Sequence, residues 1–141
     1  MDINQLSEFV ANHPLLIMAL LVISALLIGG ELRQRLSNVK LIEPGEATRL
    51  LNHENAIMVD MRTDKEYREG HIVNAVHAHA DGAAAKLEKY RDRPLIIYCR
   101  SGQQSARLSG QLNKQGFAPI YNLKGGLQAW QQANLPLSRG K

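Results

Sequence analysis

Two short runs in this chain are apolar at every position: Ala56-Ile57-Met58-Val59 and Leu95-Ile96-Ile97-Tyr98. A strand with one face in water alternates polar and apolar side chains. An unbroken apolar run of this length, bounded by turn residues, predicts a buried strand. The first run ends at Asp60 and the second at Cys99. Ile72 to Ala78 and Ala118 to Tyr121 predict further short strands. Helical patterns lie between them. Pro44-Gly45-Glu46 opens a helix with Ala47, Leu50 and Leu51 on one side, and Asp64 to Glu69 is a charged helical turn closed by Gly70. Ala83 to Arg91 and Gln103 to Gln115 follow, and Gly125-Gly126 precedes a last helix through Trp130. Strands alternating with helices predict an α/β domain around a mainly parallel sheet. In such sheets ligands bind beyond the carboxyl ends of the strands, where Asp60 and Cys99 both fall.

Cys99 is the chain's only cysteine. The segment Arg100-Ser101-Gly102-Gln103-Gln104-Ser105 follows it and runs directly into a helical pattern. Successive backbone N–H groups in such a loop can curl around one point, and a helix start adds partial positive charge there. Both effects favour a thiolate over a thiol, which makes Cys99 a candidate nucleophile. A lone cysteine excludes an intramolecular disulfide and a Cys-rich zinc site, and it suits a reducing compartment.

The N-terminal part is of a different kind. Residues 9–30 carry no formal charge apart from the titratable His13. As one helix they would reach about 33 Å, close to the roughly 30 Å of a bilayer's hydrocarbon core. Pro14 suits a first helical turn, and Gly29-Gly30 is expected to end the helix. No positive charge precedes the apolar run, which argues against a cleaved signal peptide. Arg33, Arg35 and Lys40 follow it, so the positive-inside tendency places the later part of the chain in the cytoplasm and the N-terminus outside. The expected organisation is a short tail over residues 1–8, a transmembrane helix over 9–30, a linker over 31–42, a folded domain over 43–136 and a tail over 137–141. All 17 Lys and Arg residues lie at or after position 31, whereas two of the 13 acidic residues, Asp2 and Glu8, lie before it, leaving the later part at +6 with histidines neutral. That excess can attract anions. There is no long Lys/Arg cluster and aromatics make up 5% of the chain, so nucleic-acid binding is not expected.

Three segments together carry a family likeness. The first is Val59-Asp60-Met61-Arg62, with Glu66-Tyr67 and then Gly70-His71-Ile72-Val73-Asn74-Ala75. The second is Cys99 to Ser105. The third is Leu123-Lys124-Gly125-Gly126-Leu127-Gln128-Ala129-Trp130. In this order and spacing the chain resembles the rhodanese (sulfurtransferase) family over about residues 40–136. With the N-terminal span added, it resembles a bacterial membrane-anchored single-domain rhodanese. The resemblance implies an α/β fold with a central, mainly parallel five-stranded sheet flanked by helices. It also implies that Cys99 attacks the outer sulfur of a donor such as thiosulfate or a persulfide, carries it as a covalent persulfide without any other cofactor, and passes it to a thiol or to cyanide. Arg100, Ser101, Gly102, Gln103, Gln104 and Ser105 are then the donor-binding cradle. Asp60, Arg62 and His71 are then supports of the fold and of that loop.

The chief rival is a cysteine phosphatase, which needs Cys, five residues and then Arg to grip a phosphate. Six residues on from Cys99 stands Ser105, and the next arginine is Arg107. Position 104 is Gln, where active rhodaneses often have Arg or Thr, so thiosulfate is expected to be a weaker donor. His77 and His79 would share a strand face but lack companions for zinc, and no metal site is expected. The expected activity is a sulfurtransferase tethered to the bacterial inner membrane. The alternative is a rhodanese-type interaction or regulatory module that recruits membrane-protein partners with little catalysis.

Overall fold

The computed structural model describes residues 2–36, 39–117 and 119–141. In chain order the elements are α1 (Ile3–Asn12), α2 (Pro14–Leu36), β1 (Val39–Ile42), α3 (Pro44–His53), β2 (Ile57–Asp60), α4 (Asp64–Glu69), β3 (His71–Ile72), β4 (Val76–His77), α5 (Ala83–Leu87), a 3-10 turn (Glu88–Tyr90), β5 (Leu95–Tyr98), α6 (Gln103–Lys114), β6 (Ile120–Leu123), α7 (Gly126–Gln132) and β7 (Leu137–Ser138). They fall into two compact units, Met1–Ser37 and Asn38–Lys141.

The first unit corrects the expectation of one helix over residues 9–30. The chain breaks at His13, and α1 and the apolar part of α2 bend by 93°. The cause is local. The ring of Pro14 disfavours the helical region for the residue before it, and His13 sits at φ −130°, ψ 56°. Pro14 then starts α2, where its missing N–H does no harm. Gly29 and Gly30 do not end α2, which continues to Leu36; a glycine inside a helix costs only about 1 kcal/mol, which the flanking residues outweigh. Residues 3–8, expected as a tail, are helical in α1. No single helix among the described residues is long and apolar enough to cross a membrane. Ile3–Asn12 and Pro14–Gly30 pass that test only as a bent pair, by length and composition. The α2 side chains Leu15, Met18, Leu26 and Leu27 are exposed. Ala118 and the side chains of Arg33 and Arg35, used in the sequence reading, lie outside the described residues, as do Met1, Ser37 and Asn38 within the expected tail and linker.

The second unit is built on a five-stranded sheet in the order β1-β6-β5-β2-β4, with every pair parallel. β3 and β7 form a separate antiparallel pair. Both ends of this unit extend beyond the expected 43–136. The expected linker over 31–42 ends in β1, whose Val39 to Ile42 pair with Ile120 to Leu123. Only Ile42 of β1 is buried, so this edge strand lacks the continuous apolar signal of the central ones. The expected tail over 137–141 is also structured. Leu137 and Ser138 pair with Ile72 and His71, and the Gly140 N–H donates to the Arg68 carbonyl at 3.0 Å. The segment from Ile72 to Ala78 is divided by a turn with Asn74 at φ 62°, so it holds two short strands instead of one.

Side chains alternate across the sheet as the pleat requires. On one face Ile96 and Tyr98 of β5 join Leu50, Met58, Leu123 and Trp130 in a buried cluster. On the other, Leu95, Ile97 and Cys99 join Val59, Leu108, Leu112 and Phe117. Leu95, Ile96 and Ile97 are fully buried. Each such side chain contributes about 1.5–3 kcal/mol by leaving water, so β5 is anchored from both faces where it delivers Cys99.

Candidate active site

Cys99 is the next residue in the alternation of β5, so its side chain falls on the face covered by α6. The loop after it turns back sharply. Gly102 lies at φ +95°, and a Cβ there would stand 3.1 Å from the Leu123 carbonyl oxygen and 3.3 Å from the Gly125 nitrogen, so only glycine fits without strain. This turn brings two backbone donors to the sulfur. The Gly102 N–H donates to Cys99 Sγ at 3.1 Å and the Ser105 N–H at 3.4 Å, and the Ser105 hydroxyl lies 3.3 Å from it. The outer side of the loop is held by α7. Leu127 N–H donates to the Cys99 carbonyl at 2.9 Å, and Gln128 N–H to the Arg100 carbonyl at 3.2 Å.

Cys99 is 2% exposed. Burial pushes its thiol pKa up, but the Ser105 hydroxyl and the N–H groups of Ser105, Gly102 and Ser101 outweigh that and hold it below the ordinary thiol value. The site therefore favours sulfur in its anionic form.

Of the loop residues singled out in the sequence, Gly102 and Ser105 bond directly to Sγ. Arg100, Ser101, Gln103 and Gln104 are exposed. Gln103 and Gln104 border a cleft of about 580 Å³ that also contains Met61 and Arg107. Arg100 borders a second cleft of about 530 Å³ with Gln128 and Arg139. Arg62 and Glu66 line both, so the two clefts adjoin beside the loop.

Asp60 and Arg62 form a buried ion pair at 2.7 Å. Asp60 also accepts from the Arg62 backbone N–H at 2.9 Å and the Tyr98 hydroxyl at 2.6 Å. Arg62 reaches on to the Gly70 carbonyl at 2.6 Å, and Tyr98 accepts from the Ile72 N–H at 3.1 Å. This network ties the end of β2 to β3 and to the residue before Cys99. His71 is buried, stacks on Tyr67 at 3.8 Å between ring centroids and bonds to the Tyr67 carbonyl at 2.7 Å, well occupied as a structural group. Among the described residues no three His, Cys, Asp or Glu side chains are grouped to hold a metal ion.

Asn122 was not evident as a site residue. It is buried in β6, beside Ile97 in register, and its amide donates to the Gly102 carbonyl at 3.0 Å while its oxygen accepts from the Ser105 hydroxyl at 2.6 Å. The available signal was an asparagine, a residue depleted from strands, set between Tyr121 and Leu123.

The sequence model of the family described as "Rhodanese-like domain" matches residues 43–133, more than half of the chain. The chain belongs to the rhodanese-like family. It is 37% identical over 142 residues to "Uncharacterized protein YibN" of Escherichia coli K12, covering 98% of this chain and 99% of that one. A protein named "Sulfurtransferase" from Allochromatium vinosum is 34% identical over 90 residues, covering 63% of this chain and 84% of its own. The solution structure of a rhodanese-like domain from Anabaena superposes with a TM-score of 0.65 at 21% identity, covering 70% of this chain and 78% of that one, and shares the fold. The rhodanese fold and a sulfurtransferase-type family are thus common ground between the three segments read in the sequence and these relatives.

Proposed function

We propose that the chain is a sulfurtransferase that carries sulfane sulfur on Cys99. The observation that carries this reading is the sulfur's setting: Sγ at the end of a central strand, held by two backbone N–H donors with a hydroxyl alongside. With thiosulfate as donor, the thiolate attacks the outer sulfur. The Sγ–S bond forms, the donor's S–S bond breaks, and sulfite leaves with the bonding pair. A thiol or cyanide then attacks that outer sulfur, and the Sγ–S pair returns to Cys99 as thiolate. An organic persulfide serves as donor in the same way, releasing its thiolate. The exposed Arg107, on the same face of α6 as Gln104 three residues earlier, supplies the positive charge that Gln104 lacks for drawing an anionic donor to the larger cleft. The smaller cleft, with Arg100 and Arg139, suits the approaching acceptor.

In this reading the bent pair of α1 and the Pro14–Gly30 part of α2, which passes the length and composition test for a span only together, holds the domain at the bacterial inner membrane, single-pass, with the N-terminus outside and the rhodanese domain in the cytoplasm. The support is the uncharged stretch from Pro14 to Gly30 and the exposed apolar side chains along it. Tethering raises the effective concentration of the domain for membrane-protein partners. A purely recruiting module has less support, because it requires no sulfur ringed by donors.

The test is thiocyanate formation from cyanide with either thiosulfate or an organic persulfide, using the full-length chain and its Cys99→Ser variant. Activity in the wild type and none in the variant is expected. A Cys99→Ser variant as active as the wild type sinks the proposal.

A further inference from the structure

The Ser105 hydroxyl has one proton and two partners. Its oxygen lies 2.6 Å from Asn122 Oδ1 and 3.3 Å from Cys99 Sγ. The Asn122 amide cannot be turned round to relieve this, because its nitrogen donates to the Gly102 carbonyl at 3.0 Å, and a flip would set two carbonyl oxygens against each other. Ser105 and Asn122 are both buried, so water is not at hand to replace a lost partner. We propose that Asn122 is a positioning residue that competes with the Cys99 sulfur for the single Ser105 hydroxyl proton.

The competition changes side with the state of the sulfur. While Cys99 is a thiol, the shorter neutral bond to Asn122 keeps the proton. Once Sγ is a thiolate, a charge-assisted bond, roughly twice as strong, draws the hydroxyl round and strands Asn122 Oδ1. In the persulfide the charge moves to the outer sulfur and the hydroxyl returns to Asn122. Asn122 thereby favours the sulfur-loaded state over the free thiolate. Among the described residues the charged groups on the surrounding elements are Asp60 at the end of β2 with Arg62 just after it, Lys86 on α5, Arg100 in the loop, and Arg107 and Lys114 on α6. Asp60 and Arg62 are engaged with each other, Tyr98 and Gly70, and among the described residues no charged side chain donates to Sγ. The neighbours from β2, α5 and α6 in the same cluster, Val59, Ala83, Leu87 and Leu108, are apolar.

This inference rests on Cys99 being the reactive sulfur, but its test does not require sulfur transfer. Thiolate ultraviolet absorbance of the full-length chain is followed against pH, with Cys99→Ser as blank. Asn122→Ala and Asn122→Leu, the latter keeping the side chain's branching without an acceptor, release the hydroxyl to the sulfur. Each is expected to lower the midpoint by about one pH unit, a tenfold gain in thiolate below both midpoints. In a Ser105→Ala background the same changes are expected to do nothing, which a merely structural role for Asn122 does not predict. In the unmodified chain the Asn122 side-chain carbonyl carbon resonance should move with the thiol midpoint. A raised or unchanged midpoint in the folded variants, an equal shift in the Ser105→Ala background, or an unmoved resonance overturns the proposal. No sulfur transfer by the unmodified chain, with these shifts intact, would instead count against the catalytic reading.

Discussion

Gly126, the first residue of α7, stands directly behind the loop that follows Cys99, and Gly126→Ala tests how tightly that loop is braced. Gly126 lies at φ +56°, a region that costs an L-residue with a side chain about 1–2 kcal/mol. The new Cβ would also press on the Cys99 carbonyl oxygen and lie 2.8 Å from the Arg100 carbonyl carbon and oxygen. These are backbone atoms and cannot rotate away, so relief requires moving the loop or α7. Overpacking of this kind adds about 1–3 kcal/mol. The expected loss is therefore about 2–5 kcal/mol. The same displacement disturbs the Leu127 and Gln128 N–H bonds to the loop carbonyls, so the donors around Sγ shift with it. Urea unfolding of the full-length chain, followed by the fluorescence of Trp130, its only tryptophan and a buried one, reads the stability. Gly110→Ala inside α6, where a Cβ meets nothing within 4 Å, is the control and is expected to be neutral or stabilising. A Gly126→Ala loss below about 1 kcal/mol, or a full loss with sulfur transfer unchanged in the folded fraction, would refute the bracing argument.

Two further substitutions probe the surroundings of the loop. Arg62→Met leaves Asp60 as a buried carboxylate without its ion partner and should lower stability by about 3–5 kcal/mol in the same urea assay. Ser105→Ala removes the hydroxyl that helps hold the Cys99 thiol below its ordinary value. A lowered thiol pKa means that thiolate persists further down the pH scale, so the acid limb of the wild-type pH–rate profile lies below the ordinary thiol value of roughly 8.5. In Ser105→Ala that limb should move to higher pH, with activity lost first at the acid end.

The two central strands were legible because Ile57 to Val59 and Leu95 to Tyr98 are apolar at every position and end at Asp60 and Cys99. Leu95 to Tyr98 could only be buried, and Cys99 and Gly102 marked the turn that follows. The edges were not legible for the same reason inverted. β1 has one buried residue, and β7 is two residues long, so neither writes a periodicity into the sequence. The N-terminal segment was misjudged at residues 9–13: Pro14 does open a helix, as read, but its ring breaks the chain at His13, so those residues do not belong to the same span. Asp60 and Arg62 were expected as supports, but the bond from Tyr98 to Asp60 and that from Ile72 to Tyr98 depend on strand neighbours distant in sequence. Asn122 was missed because its meaning comes only from register, which sets β6 beside β5 and its side chain under the loop.

The most direct test of sulfur carriage is the intact mass of the full-length chain after incubation with thiosulfate, and separately with an organic persulfide, beside Cys99→Ser. A gain of one sulfur atom's mass is expected in the wild type with at least one donor, reversed by cyanide or dithiothreitol and absent from the variant. No gain with either donor, or an equal gain in Cys99→Ser, would contradict it.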